Sequence, residues 1–267
     1  LHNMKGQQAP AKIREHLDHS GLDSIGVLGS TGSFAYLSEQ QRIDVMACWS
    51  ELKTPWIAGI SATTTTGAVR LAHAAEKNGA QGVIVNAFSY VGLRDEEQRN
   101  YFLNIADSSP LPVCVYDNPV TTGLALSDEL IHALSLHENI HAVKVFAQKD
   151  NRIQQERLGK LAIEPGYAVD ARCCEAMISG GSAWYSTLAG TLPERVVPIM
   201  AAVKAGDFDR ARELNRDNQP LYDAMRSHSG YRMMHALAKQ RQWACELPAP
   251  LTLPADIPDL TPYLPKS

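Results

Sequence analysis

Residues 56–86, WIAGISATTTTGAVRLAHAAEKNGAQGVIVN, decide the fold. The stretch opens on an apolar run, Trp56-Ile57-Ala58-Gly59-Ile60, and closes on a second, Gly82-Val83-Ile84-Val85-Asn86. Between them GAVRLAHAAEKNGA carries Val69, Leu71, Ala72 and Ala75 at helical spacing and stops at Gly79. The apolar runs are short and nearly continuous, the pattern of strands covered on both faces. Ser61-Ala62-Thr63-Thr64-Thr65-Thr66 between strand and helix is accounted for by helix capping. Strand, helix and strand within about 30 residues make one βα unit, whose strands lie parallel.

The unit repeats in both directions. Upstream, Ser24-Ile25-Gly26-Val27-Leu28 precedes SEQQRIDVMACWSEL, where Ser38 and Gln41 stand at capping-box spacing. Downstream come Pro112-Val113-Cys114-Val115-Tyr116, the Ser127-capped SDELIHALSLHEN, and Ile140-His141-Ala142-Val143-Lys144-Val145. Tyr167-Ala168-Val169 and Ala183-Trp184-Tyr185 are fainter strands, and Thr191-Leu192-Pro193-Glu194 opens a further helix.

Seven strands alternating with helices fall one short of an eight-unit (β/α) barrel. The shortage lies at the start, where AKIREHLDHSG reads as a helix with no strand before it. An open sheet is one solution. A TIM (β/α)8 barrel whose first strand is missing from this chain is favoured, because a gap would leave unpaired edges. The barrel is expected over residues 1–205, with a C-terminal helical region and proline-rich tail over 206–267. ERVVPIMAAVKAG is the last barrel helix or the start of the extension; DFDRARELNRDNQPLYDAMRS and GYRMMHALAKQRQW follow as helices. ELPAPLTLPADIPDLTPYLPKS carries too many prolines for a long helix.

Composition bounds the function. With 267 residues, 45% of them hydrophobic, the chain can bury a full core without disulfide staples. A formal net charge of −4 with scattered basic residues argues against a nucleic-acid backbone binder. No apolar run approaches the roughly 18 residues of a membrane span, and the opening LHNMKGQQAP lacks the apolar core of a secretion signal. Five cysteines without CxxC spacing indicate free thiols in a reducing compartment, so a cytoplasmic enzyme is expected.

Lys144 is the anomalous residue, a charge near the C-terminal end of an apolar strand. It reads either as a lysine snorkelling from an edge strand or as a desolvated amine able to attack a carbonyl and form a Schiff base. In a barrel, strand C-termini are where chemistry is placed, which favours the second. Tyr116 ends its strand in VCVYDNP, either closing the core or offering a hydroxyl that moves protons beside an imine. Gly29-Ser30-Thr31-Gly32-Ser33 lets backbone amides converge and adds hydroxyl donors, a nest suited to a carboxylate or phosphate. GxGxxG, Walker, HExxH and GxSxG patterns are absent. His16 and His19 read as solvated, His228 and His235 lack a third ligand, and adjacent Cys173 and Cys174 point different ways. No metal and no cofactor are expected.

These segments resemble the dihydrodipicolinate synthase/N-acetylneuraminate lyase family of Schiff-base aldolases. GVLGSTGSFAYLSEQQR is similar to the family's GTTGE/GSTGE segment, VYDNPVTTG to its YNxPxxTG signature, and HAVKVFAQKD to the segment bearing the Schiff-base lysine. Residues 57–85 are similar to its third strand, the helix after it and its fourth strand. Tyr116 and Lys144 are 28 residues apart, the family's separation. The resemblance implies an (α/β)8 barrel with a helical C-terminal region, assembled as a dimer or tetramer. It also implies that Lys144 forms an imine with pyruvate or another 2-oxo acid, and that an aldehyde is the partner substrate. Gly29, Ser30 and Thr31 would hold the substrate carboxylate, Tyr116 would shuttle protons, and Ser30 and Tyr90 would join the relay.

Departures bear on the acceptor. Thr121 stands where synthases carry an arginine that clamps the carboxylate of aspartate semialdehyde, and a neutral hydroxyl cannot make that bidentate contact. Ser33 replaces the glutamate of GTTGE, Asp117 the asparagine of the signature, and AVDARCCEAMISGG is a shortened form of a GDD-like segment. The expected function is therefore a Schiff-base carbon–carbon lyase or synthase on a 2-oxo acid, with an acceptor other than aspartate semialdehyde. The alternatives are a genuine 4-hydroxy-tetrahydrodipicolinate synthase of lysine biosynthesis and a non-catalytic 2-oxo-acid-binding or structural relative.

Overall fold

Seven strands pair in chain order, every pair parallel, in the computed structural model of residues 8–243 and 246–265. They are β1 (Ile25–Val27), β2 (Trp56–Gly59), β3 (Gly82–Val85), β4 (Val113–Tyr116), β5 (Ile140–Phe146), β6 (Glu164–Ala168) and β7 (Ala183–Trp184). The reading of residues 1–7 and the fifth cysteine, Cys245, lie outside the described residues. Strand order is that of a (β/α) barrel one strand short, and among the described residues β1 and β7 form the sheet's two edges.

Alternation along the strands divides two environments. Val113 and Val115 of β4, Val143 and Val145 of β5, and Tyr167 of β6 face outward into the main core with helix residues such as Leu71, Phe102 and Leu134. Their same-strand neighbours face inward: Cys114, Tyr116, Ala142 and Phe146 cluster with Ile57, Ile84 and Tyr185. The inner cluster is small because much of the inward row is glycine or alanine, and Lys144 shares that row.

Helix α1 (Gln8–Asp18) precedes β1, and helices α2 (Glu39–Trp49), α3 (Thr65–Lys77), α4 (Asp95–Ser108), α5 (Pro119–Thr122), α6 (Asp128–Ser135), α7 (Asn151–Leu158) and α8 (Asp170–Ile178) connect the strands. Ser38 and Gln41 make the expected capping box, and Ser127 accepts the N–H of Leu130. Thr64 caps α3 by accepting the N–H of Gly67 at 3.2 Å. Two C-terminal expectations need correction. Pro193–Arg195 form a separate 3-10 turn, and the helix proper, α9 (Val197–Lys204), starts later. The predicted DFDRARELNRDNQPLYDAMRS helix is two: α10 (Phe208–Asp217) and α11 (Gln219–His228), parted at Asn218, whose amide donates to the Arg195 carbonyl at 3.0 Å. Pro220 lacks the N–H that a continuous helix would need there. Finally α12 (Gly230–Gln240) packs Met233 and Leu237 against Leu188, Leu192 and Leu221, and Leu260 of the tail fills the same cluster.

The adjacent cysteines of α8 do point apart. Cys173 enters the main core, whereas Cys174 packs with Ile199 of α9 and Ala211 of α10. His16 is not simply solvated: its ring lies tilted against Trp243, centres 5.3 Å apart, and sits 3.3 Å from an Arg241 nitrogen. No helix among the described residues is long and apolar enough to cross a membrane.

Candidate active site

Register brings the two principal candidates together. Tyr116 pairs with Lys144, and Lys144 pairs with Gly166 of β6, so all three lie at one level of the inner face. The Lys144 ammonium sits 4.0 Å from the centre of the Tyr116 ring and 5.2 Å from that of Tyr185. Such faces attract a cation, yet burial dominates: desolvation lowers the Lys144 pKa to about 8, opposed in part by the charge of Asp170. The edge-strand reading of Lys144 fails, since β5 lies between β4 and β6 and the amine points into the inner cluster.

Tyr116 is buried, and desolvation, reinforced by the charge of Asp117, raises its hydroxyl pKa well above the ordinary phenol value. It therefore keeps its proton at neutral pH. Asp117 faces elsewhere: its carboxylate accepts the N–H of Leu126 at 3.1 Å and fixes the loop after β4.

The loop after β1 is set by a close backbone approach. Leu28 leaves the strand with φ of 60°, and its carbonyl oxygen would lie 2.0 Å from any Cβ at position 59. Only glycine fits at that point of β2. Gly29 is extended, Ser30–Gly32 make one 3-10 turn closed by Gly32 N–H donating to the Gly29 carbonyl, and Ser33 returns with φ of 66°. Among the described residues the Ser30 and Thr31 hydroxyls take no side-chain partner, and both remain solvent-accessible. Ser33 is committed elsewhere, its hydroxyl 2.7 Å from that of Tyr231 on α12.

Arg42 of α2 anchors the neighbouring loop. Its buried guanidinium donates to the carbonyls of Gly59 and Ser61 at 2.9 and 2.8 Å, and desolvation brings its pKa down to about 10. Ser61 donates to Asn86 at 2.7 Å and accepts the Asn86 N–H, locking the ends of β2 and β3 together.

Two expected residues stand apart from this centre. Tyr90 is fully exposed at 100% on the connection after β3. Within a single chain its side chain packs on nothing and stands away from Lys144. Thr121 lies exposed on α5.

Sequence reading missed Tyr185 and Asp170. Tyr185 follows β7, shares the inward parity of Ala183, and places its hydroxyl 3.4 Å from the Cys114 sulfur. Its parity with Ala183 was the available signal. Asp170 is buried at the start of α8, where burial raises its pKa while Ser186, the Trp184 indole and the N–H groups of Leu188 and Thr187 all donate to it. That set of donors shapes the turn after β7.

A parallel β/α frame with a desolvated lysine at the C-terminal end of an inner strand defines the class I, Schiff-base type of aldolase. A model described as the dihydrodipicolinate synthetase family matches residues 3–253, and the chain belongs to that family. It is 30% identical over 217 residues to the 4-hydroxy-tetrahydrodipicolinate synthase of Natronomonas pharaonis, covering 79% of this chain and 74% of that one. It is also 30% identical over 223 residues to 4-hydroxy-tetrahydrodipicolinate synthase 1 of Streptomyces coelicolor, covering 80% and 71%. The crystal structure of dihydrodipicolinate synthase from Agrobacterium tumefaciens superposes with a TM-score of 0.90 at 32% identity, over 94% of this chain and 87% of that one.

Proposed function

We propose that this chain forms an imine between Lys144 and a 2-oxo acid of the pyruvate class, and makes or breaks the carbon–carbon bond next to the imine carbon. The neutral amine attacks the ketone carbon, water departs, and the resulting iminium draws electrons from the adjacent carbon to give an enamine. A lysine pKa of about 8 leaves roughly a tenth of the amine neutral at pH 7, far more than an ordinary lysine offers. This amine, 4.0 Å from the centre of the Tyr116 ring and 5.2 Å from that of Tyr185, is the observation that carries the proposal. Ser30, Thr31 and the Gly29 turn supply donors for the substrate carboxylate. Tyr116, protonated and beside the amine, gives and retrieves the proton as water leaves and as the new bond forms.

The activity named for the curated relatives supports 4-hydroxy-tetrahydrodipicolinate synthesis over the different acceptor expected from residue 121. A second reading, another aldehyde acceptor, keeps the support of Thr121 alone, whose hydroxyl cannot clamp a carboxylate as arginine would. An assembly of two or four copies belongs to the proposal, and exposed Tyr90, Val91 and Val120 are apolar surface that such an assembly would cover.

Borohydride reduction in the presence of pyruvate tests the chemistry: a reduced pyruvyl adduct on the Lys144 peptide, absent from Lys144→Ala, is expected. A folded protein that yields no adduct with any 2-oxo acid overturns it. Comparing turnover of aspartate semialdehyde with a panel of other aldehydes then decides between the two acceptors.

A further inference from the structure

Arg172 stands in the first turn of α8, and among the described residues its guanidinium makes one bond, from Nη1 to the Ala147 carbonyl at 3.2 Å. That bond fixes where the guanidinium lies. Strands β5 and β6 pair Lys144 with Gly166, Val145 with Tyr167 and Phe146 with Ala168. One step further, the Ala147 N–H still donates to the Ala168 carbonyl at 3.0 Å. There β6 leaves the ladder: Val169 turns with φ of 76°, costly for a β-branched residue, and α8 begins. The next backbone acceptor, the Ala147 carbonyl, is met by the guanidinium in place of a backbone N–H. Arg172 thus caps the ladder at its C-terminal rim, three residues beyond Lys144 and about 10 Å along the strand from it.

No carboxylate among the described residues pairs with this cation. Asp170, two residues earlier, is turned away and accepts from Trp184, Thr187 and Leu188. A cation in the first turn works against the helix dipole, so α8 gains nothing electrostatically from it. The residue is exposed, which leaves its other N–H groups open to a ligand. A guanidinium presents them as a planar fork that fits a carboxylate.

We propose that Arg172 binds a carboxylate on the aldehyde acceptor, so that anionic aldehydes are taken in preference to neutral ones. The inference rests on the imine-forming role of Lys144. A 2-oxo acid joined to Lys144 lies at the level of Tyr116 and Gly166. The aldehyde adds to it from the mouth, which in a barrel is the C-terminal side of the strands. Its far end then faces the rim where Arg172 stands, and the lengthened 2-oxo acid keeps the same contact once the carbon–carbon bond has formed. Helix α8 in this way supplies the charge that Thr121 does not bring to α5.

The experiment compares succinic semialdehyde with butanal as acceptors for pyruvate, two aldehydes of equal chain length that differ in the carboxylate. Wild type, Arg172→Ala, Arg172→Lys and Lys149→Ala are assayed. Lys149 is a second exposed cation on the loop after β5, so its removal reads the effect of charge without the fork. The readout is the ratio of kcat/KM for the acid to kcat/KM for butanal within one preparation, which partial unfolding does not bias. Wild type is expected to favour the acid. Arg172→Ala is expected to lower the ratio by about tenfold or more, the loss of a bond to a charged group. Arg172→Lys keeps the charge without the fork and falls between, and Lys149→Ala changes the ratio little. An unchanged ratio in Arg172→Ala, an equal fall in Lys149→Ala, or a wild type that labels with pyruvate yet does not favour the acid overturns the role of Arg172. Borohydride trapping of pyruvate at Lys144 in the same preparations reads the imine step by itself. No labelling of wild type by any 2-oxo acid overturns the imine reading and this inference with it.

Discussion

The hydroxyls of Ser33 and Tyr231 lie 2.7 Å apart although 198 residues separate them in the chain. Their hydrogen bond ties the turn proposed to hold the substrate carboxylate to helix α12, and it holds Ser33 in a left-handed conformation that a non-glycine residue adopts at some cost. Tyr231→Phe removes the bond and keeps the ring. The expected result is a KM for the 2-oxo acid raised several-fold with kcat nearly unchanged, and a stability loss of about 1 kcal/mol. Steady-state kinetics and urea titration read the two effects.

Imine formation is expected to follow the lysine. Because the attacking species is the neutral amine, the initial rate of borohydride-trapped adduct should rise with pH and level off above about 8. A rate still climbing steeply at pH 10 would show an ordinary, solvated lysine.

Lys144 also costs stability. Its folded pKa lies below that of the unfolded chain, so between about 8 and the ordinary lysine value of 10.5 the unfolded state binds more protons and stability increases with pH. Below that window the full penalty is present; above it the penalty vanishes. Lys144→Met is therefore expected to abolish trapping while raising Tm by a few degrees at pH 7, with the difference shrinking as the pH passes 10. Calorimetry at pH 7 and pH 10 checks the sign.

Asp170 places negative charge near the amine and holds the turn after β7. Asp170→Asn removes the charge and keeps the side chain's shape. The trapping profile of the variant should move to lower pH, since less negative charge favours the neutral amine. Its stability should fall by about 1–3 kcal/mol through weaker bonds to Trp184, Thr187 and Leu188.

Arg42 offers a structural test. Removing its guanidinium in Arg42→Ala strands the buried carbonyls of Gly59 and Ser61. A loss of about 2–4 kcal/mol is expected, seen as a lower urea midpoint at constant slope. Arg42→Lys, able to reach one carbonyl at a time, should fall between the two.

Lys144 and Tyr116 were legible in sequence because each breaks a local pattern: a charge inside an apolar strand, and a tyrosine before a rigid loop. The strands themselves showed as short apolar runs, and the helix starts at Ser38 and Ser127 as capping chemistry. Tyr185 and Asp170 were not legible, because their roles arise across the sheet. Nothing local to Tyr185 tells that Gly166 is opposite Lys144 or that Cys114 will meet its hydroxyl. For Tyr90 its place in a motif suggested a partner, while within one chain its loop carries it to the surface. The split between α10 and α11 was hidden because Asn218 and Pro220 sit within an otherwise helical pattern, and the Arg195 carbonyl that Asn218 bonds comes from a distant turn.

Helix α8 presents Cys173 to the strands and Cys174 to α9 and α10, and its first residue, Asp170, holds the turn that feeds the cluster around Leu188. One element thus lends side chains to the main core and to the α9–α10 cluster, and its first residue fastens the turn that leads into a third. Melting the C-terminal helices strips a face from α8, and loosening α8 releases Asp170 and the turn beside the lysine. A denaturant titration should accordingly show a single transition, with trapping competence at Lys144 disappearing in step with helical signal. Cooperativity is then expected to run straight across the boundary proposed at residue 205.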